Sequence, residues 1–273
     1  TRVLITASSV ALGFPVVGPP TPADLFMRDL RTGDLTRITS TPDRTSGGNG
    51  TLNSASFSRD GRSVVFVSGA SNLGPTDTNL LLDVYTYDIA SGDITLVSAN
   101  STGTNSGNGQ SHTASFSPDG SQIVSTSQAT DLGPTDTNNT WDVYLRDLTS
   151  EETRLVSANS LGNGPGDLDS LTQPASAGSP FSADGRFVLF MSNSGDLTTD
   201  PPNGTRNMFV RDLVEGTTER ASLTDAGQSL PGGAAAFAGA ISPSGSLVAF
   251  TALVADNTVP PPSPPFRLDL YVR

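Results

Sequence analysis

SFSRDGRSVVFVSGASNLGPTDTNLLLDVYTYDIASGDITLVS, residues 56–98, returns 59 positions later as SFSPDGSQIVSTSQATDLGPTDTNNTWDVYLRDLTSEETRLVS, residues 115–157. Self-similarity at a fixed period marks a repeat architecture. The string DVYTYDI at Asp83 has copies in DLFMRDL at Asp24, DVYLRDL at Asp142 and NMFVRDL at Asn207, and a last one in DLYVR from Asp269. The intervals are 59, 59, 65 and 62 residues. Around these marks the other pieces keep a fixed order. SFSRDG (56–61) is matched by SFSPDG (115–120), PFSADG (180–185) and ISPSG (241–245), and RSVVFVS (62–68) by SQIVSTS (121–127), RFVLFMS (186–192), SLVAFTA (246–252) and the opening RVLITAS (2–8). LTRITS (35–40), DITLVS (93–98), ETRLVS (152–157) and TTERAS (217–222) complete the unit.

Each unit therefore reads as four strands: A (SFS), B (VVFVS), C (DVYxRDL) and D (TxLVS). An Asp-Gly or Ser-Gly pair joins A to B, a tight hairpin signal. Strand B is apolar on consecutive residues, as in Val64-Val65-Phe66-Val67, which a strand covered on both faces requires. Small meander sheets packed between like sheets predict an all-β propeller of four-stranded antiparallel blades. A β-sandwich offers no reason for a period near 60. Five blades are visible in a single domain over 1–273: about 1–50 (partial), 51–109, 110–170, 171–233 and 234–273 (partial). The first lacks strand A and the last lacks strand D. Both ends cut a blade instead of pairing across it, which favours a piece of a longer chain over a five-bladed ring with imperfect closure.

Composition fits this reading. The 273 residues include 28 Gly and 20 Pro, with 15% charged and 6% aromatic residues, a turn-rich β mixture. All 15 basic residues are Arg, and 23 of the 27 acids are Asp. The net charge of −12 argues against nucleic acid or an anionic membrane as the main partner. Without cysteine there is no disulfide framework, thiolate metal site or Cys nucleophile. No apolar run is long enough for a membrane-spanning helix. The chain opens on Thr1, consistent with a leader lying outside it.

The A–B–C–D order with S-x-D-G and D-V-Y-x-R-D-L resembles the TolB-like, WD-like β-propeller repeats of bacterial extracytoplasmic proteins, over nearly the whole chain. The resemblance implies a propeller and a periplasmic, cell-surface or secreted location. The family includes scaffolds, peptidase propellers and uncharacterised secreted proteins. The small N-terminal domain of TolB has no counterpart in this sequence, and no α/β-hydrolase domain follows, so neither translocation nor peptidase activity carries over.

Antiparallel order places the A–B and C–D turns on one rim and the long B–C and D–A connections on the other. Binding residues concentrate on long loops of rigid scaffolds, so the B–C/D–A face is the expected functional face. Two B–C loops, 71–83 and 129–142, carry an acid–amide–acid set: Asp77, Asn79 and Asp83, then Asp136, Asn138 and Asp142. Such oxygen ligands suit Ca2+, although the distal acid and turn glycine of familiar Ca2+ loops are missing. The competing reading is turn capping by Asp and Asn. Asp200, Asn203 and Asn207 form a third copy and Asp256-Asn257 a fourth. No cofactor is required on this reading; Ca2+ is the candidate. Asp29, Asp88, Asp147 and Asp212 at the end of strand C read as turn caps and strand-end ion pairs. The Gly-rich D–A loops, such as Gly47-Gly48-Asn49-Gly50, read as flexible turns, since no Walker-type Lys follows. Proline-rich loops 15–23 and 259–265 read as stiff spacers or partner ligands.

Little points to catalysis. His112 is the only histidine and reads as a surface D–A loop residue, and no G-x-S-x-G elbow is present. Trp141, the only tryptophan, with Leu80, Leu81 and Asn139, is the candidate partner-binding set, since interfaces favour Trp. The expectation is a non-enzymatic protein-interaction or scaffold module; the alternatives are a glycan- or peptide-binding module, or an accessory propeller of a larger hydrolase.

Overall fold

A computed structural model describes residues 1–273 except 15–22, 174–177, 225, 231–234 and 256–265, and omits the side chains of Ala255, Phe266 and Arg267. Five antiparallel sheets follow one another along the chain. The first contains β1 (Arg2–Ala7), β2 (Asp24–Asp29) and β3 (Leu35–Arg37). The second contains β4 (Leu52–Phe57), β5 (Ser63–Ser68), β6 (Asp83–Asp88) and β7 (Ile94–Leu96). The third repeats it with β8 (Ser111–Phe116), β9 (Gln122–Ser127), β10 (Asp142–Asp147) and β11 (Thr153–Leu155). The fourth contains β12 (Ser170–Leu171), β13 (Phe187–Ser192), β14 (Asn207–Asp212) and β15 (Thr217–Arg220), and the fifth β16 (Ala235–Ile241), β17 (Val248–Ala255) and β18 (Phe266–Val272). The order within each sheet is A–B–C–D; among the described residues the first sheet has no strand A and the last no strand D. The chain is a β-propeller.

The consecutive apolar run of strand B has its physical cause here. In β5, Val64 and Phe66 enter a core shared with Leu25, Ile38 and Tyr85 of the first and second blades. Val65 and Val67 enter another with Val84, Ala114, Phe116 and Ile123 of the second and third. Opposite faces of one strand thus seal two blade interfaces. Phe190 and Leu189 of β13 divide in the same way.

The A–B turn is one hydrogen-bonded box repeated four times. Ser58 Oγ donates to Asp60 Oδ1 at 2.7 Å, Ser63 N donates back to Ser58 Oγ at 3.0 Å, and Gly61 sits at φ 69°. Ser117/Asp119/Gly120 and Ser182/Asp184/Gly185 repeat it, while in the fifth blade Ser244 replaces the acid before Gly245. The C–D turns are closed by the strand-end aspartates: Asp29, Asp88, Asp147 and Asp212 each accept two backbone N–H groups through Oδ1. Those bonds favour the charged form and hold Asp147 at about 2; at Asp212, also at about 2, the Arg186 ion pair leads.

Two expectations change. His112 lies inside β8, not in a loop. Strand A of the fourth blade is interrupted: β12 is only two residues long, and Phe181 rejoins the sheet by an isolated bridge to Val188. Ser170 to Ser182 spans 12 positions where Ser111 to Ser117 spans 6, so this insertion supplies the longer 65-residue interval. Loop 259–265, Asp256-Asn257 and most of loop 15–23 lie outside the described residues.

Candidate functional site: the long-loop face

The B–C and D–A connections do lie on one face, and they clasp one another. Asn49 donates from its backbone N–H to Asn72 Oδ1 at 3.0 Å and from Nδ2 to Ser71 Oγ at 3.0 Å, and it accepts from Ser71 N at 2.8 Å. Asn108 repeats the clasp one blade on, against Asp131 and Thr130. In the next blade Asp167 takes that role against Gly195 and Asp196. The glycines flanking these residues serve close approach. A Cβ on Gly50 would fall on the Gly69 carbonyl, and one on Gly47 on the Asp24 carboxylate. Gly-rich segments read as flexible turns are therefore tightly packed.

A second recurring device lies beneath the loops. The first residue of strand C accepts a hydrogen bond from a hydroxyl of the segment after strand D, always 15 residues later. Ser98 Oγ donates to Asp83 Oδ1 at 2.6 Å, Ser157 Oγ to Asp142 Oδ1 at 2.7 Å, Thr39 Oγ1 to Asp24 Oδ1 at 2.8 Å and Ser222 Oγ to Asn207 Oδ1 at 2.8 Å. The same hydroxyl accepts the next N–H along strand C, from Val84 at 3.0 Å and Val143 at 3.0 Å. This latch gives the motif aspartate a structural role. Sequence reasoning missed the hydroxyls, although their fixed spacing was there to be found.

The acid–amide–acid residues take part in the hydrogen bonding of their loops. Asp77 Oδ1 accepts from Asn79 N and Leu80 N, both at 3.1 Å, and from Ser106 Oγ at 3.3 Å. The Asn79 amide bridges to Gly107 O at 2.7 Å, and its influence, with that of Asp77, reaches the Asp83 carboxylate. Asp83 is wholly buried, and burial followed by the Asp77 charge pushes it up to about 7, against stabilising bonds. Asp83 Oδ2 and Asp77 Oδ2 are both buried without a hydrogen-bond partner in the protein. In the next blade Asn138 Nδ2 donates to Gly166 O at 2.6 Å, and Asp142, also wholly buried, rises to about 7 from burial. There, however, Tyr144 OH donates to Asp136 Oδ2 at 2.8 Å. In the third copy Asn203 and Asn207 pair amide to amide, with Nδ2–Oδ1 distances of 3.2 and 2.8 Å, while Asp200 faces Arg220 at 3.9 Å. No group of three or more His, Cys, Asp or Glu side chains is placed to hold a metal among the described residues.

The candidate contact residues divide. Leu80 is 71% exposed at φ 58°, and its counterpart Asn139 has φ 55°. Leu81 is exposed beside Leu80. Trp141 is half-buried and lies tilted against His112, ring centroids 4.3 Å apart. Burial lowers the His112 pKa, and the imidazole packs against the indole ring. Trp141 N also donates to Asp169 Oδ1 at 3.1 Å.

No protein-family model matches the sequence, and no curated protein matches it. Solved structures do. TolB from Acinetobacter baumannii superposes with a TM-score of 0.50 at 16% identity, over 98% of this chain and 49% of that one. A putative dipeptidyl aminopeptidase IV from Bacteroides ovatus gives a TM-score of 0.51 at 12% identity, over 99% of this chain and 34% of that one. Tricorn protease gives 0.50 at 11% identity, over 93% and 22%. The chain thus spans about half or less of the length of these structures. No helix among the described residues is long and apolar enough to cross a membrane. At such identities the likeness is one of fold, and in fold this chain is a TolB-like β-propeller.

Proposed function

We propose that this propeller is a non-enzymatic docking module of an extracytoplasmic complex, binding a protein partner through the long-loop face with Leu80 and Leu81 at the contact. The observation that carries the reading is Leu80, a leucine at φ 58° with 71% of its surface exposed. A left-handed backbone costs a Cβ-bearing residue roughly 1–2 kcal/mol, and the exposed side chain recovers little of that by packing. Asn139 meets the same backbone requirement with a residue that tolerates it. Strain held at an exposed apolar tip is a mark of binding loops. The loop beneath is rigid: Asp77, Asn79 and Ser106 fix it by hydrogen bonds, so little ordering entropy is lost on docking. Resemblance to TolB-like repeats supports both the protein partner and the extracytoplasmic location.

The test is a pull-down from an envelope fraction with the 273-residue chain and its Leu80→Asn variant as baits. Leu80→Asn is expected to fold at least as stably, by urea denaturation, and to lose a stoichiometric partner retained by the parent. A partner held equally by both, or none held by the parent, refutes the assignment of this face.

A further inference from the structure

We propose that the second blade binds one calcium ion between the Asp77 and Asp83 carboxylates, and that the equivalent places in the first, third and fourth blades do not. The argument is a comparison of four copies of one position. In the first blade both Asp24 oxygens are satisfied, Oδ1 by Thr39 and Gly48 N and Oδ2 by Ser9. In the fourth the carboxylate is replaced by Asn207, which pairs with Asn203. In the third Asp142 Oδ2 is unpartnered, but the neighbouring Asp136 Oδ2 is occupied by Tyr144 OH at 2.8 Å. Among the described residues, only in the second blade do two carboxylates of one loop each hold a buried, unpartnered oxygen, Asp77 Oδ2 and Asp83 Oδ2. The tyrosine counterpart there, Tyr85, keeps the contact to a backbone carbonyl that Tyr144 also makes, to Ala70 O at 3.4 Å as Tyr144 does to Ala129 O at 3.3 Å, but makes no bond to Asp77.

Leaving one oxygen of each of two carboxylates buried and unpartnered costs several kcal/mol. A shared proton removes one of the two charges; a divalent cation removes both. All the donors are oxygen, the preference of a hard cation, and Ca2+ accepts irregular geometry with water completing its shell. Only two acids contribute, so affinity falls in the range of about 0.1–1 mM typical of extracellular modules. The site is independent of the docking reading, since it uses the base of the loop and not Leu80.

The experiment is isothermal calorimetry of the EDTA-treated, dialysed chain with CaCl2 to several millimolar, checking each variant's fold by circular dichroism. The expected result is one saturable site, weakened at least tenfold in Asp77→Asn and unchanged in Asp136→Asn. No saturable heat in the folded parent, or equal binding by Asp77→Asn, overturns the proposal. Should Asp77→Asn not fold, Tyr144→Phe decides. Freeing Asp136 Oδ2 is expected to raise the stoichiometry from one to two, and a stoichiometry that stays at one overturns the assignment.

Discussion

Ser98→Ala tests the latch that ties strand C to the segment beyond strand D. The Ser98 hydroxyl, itself buried, donates to Asp83 Oδ1 at 2.6 Å and accepts from Val84 N at 3.0 Å. Alanine leaves that N–H unpaired in a dry environment, which costs about 1–3 kcal/mol, and removes the Ser98 bond to the carboxyl, worth about 1.5–3 kcal/mol where that partner is charged. The expected loss is therefore about 2.5–6 kcal/mol, read as a fall in the urea midpoint at neutral pH. Ser98→Thr is the control. Thr39 fills the same position in the first blade, bonding Asp24 Oδ1 at 2.8 Å and Leu25 N at 2.9 Å, so threonine is expected to restore most of the loss. A cost below about 1 kcal/mol for alanine, less than one unsatisfied buried group, would refute the latch. So would a threonine variant as damaged as the alanine one.

Three further outcomes follow from the turns and buried acids. Glu151 holds φ 59° in a C–D turn where Gly33, Gly92 and Gly216 serve the other blades; Glu151→Gly is expected to stabilise by about 0.5–1 kcal/mol, the relieved left-handed strain exceeding the added chain entropy. The exposed contact to Arg146 at 3.8 Å that it removes contributes little, and a lower urea midpoint would contradict this. Asp142, raised to about 7 by burial, binds its proton more tightly folded than unfolded, so its contribution is complete below about pH 4 and is lost as pH rises towards 7. Asp142→Asn is accordingly expected to gain on the parent progressively across that window in EDTA, and a pH-independent difference would count against the buried charge. Gly47→Ala, whose Cβ would strike the Asp24 carboxylate, is expected to destabilise by about 1–3 kcal/mol in thermal or urea melts, as overpacking does; a neutral outcome would show that Asp24 is free to move.

The blade plan was legible because strands B and C carry it in their side chains. Val64 to Val67 are apolar on both faces, and three of the four described C–D turns announce themselves through Asp and Gly. Strand A was harder to read. Ser111, His112, Thr113 and Ser115 of β8 are polar residues of the kind expected in a loop, and Thr113 with Thr126 and Thr172 joins two blades by hydroxyl bonds instead of apolar packing. Hence His112 was assigned to a loop, and the six-residue insertion after Ser170 was missed. At the candidate site, spacing alone placed Asp77, Asn79 and Asp83 together, because seven residues of loop hold them. It did not reveal that one oxygen of Asp83 belongs to the latch, nor that Tyr144 sets the two loops apart, since both depend on contacts across strands.

The latch has a consequence for how such a chain grows. Its donor and acceptor lie 15 residues apart within one blade, so each repeat closes its own outer edge without help from its neighbours. Gene duplication or loss of a whole repeat leaves every remaining latch intact and alters only the seam where two blades meet, as in other nearest-neighbour architectures. Blade number is thereby free to vary in whole steps, while a deletion that parts Asp83 from Ser98 breaks a unit outright.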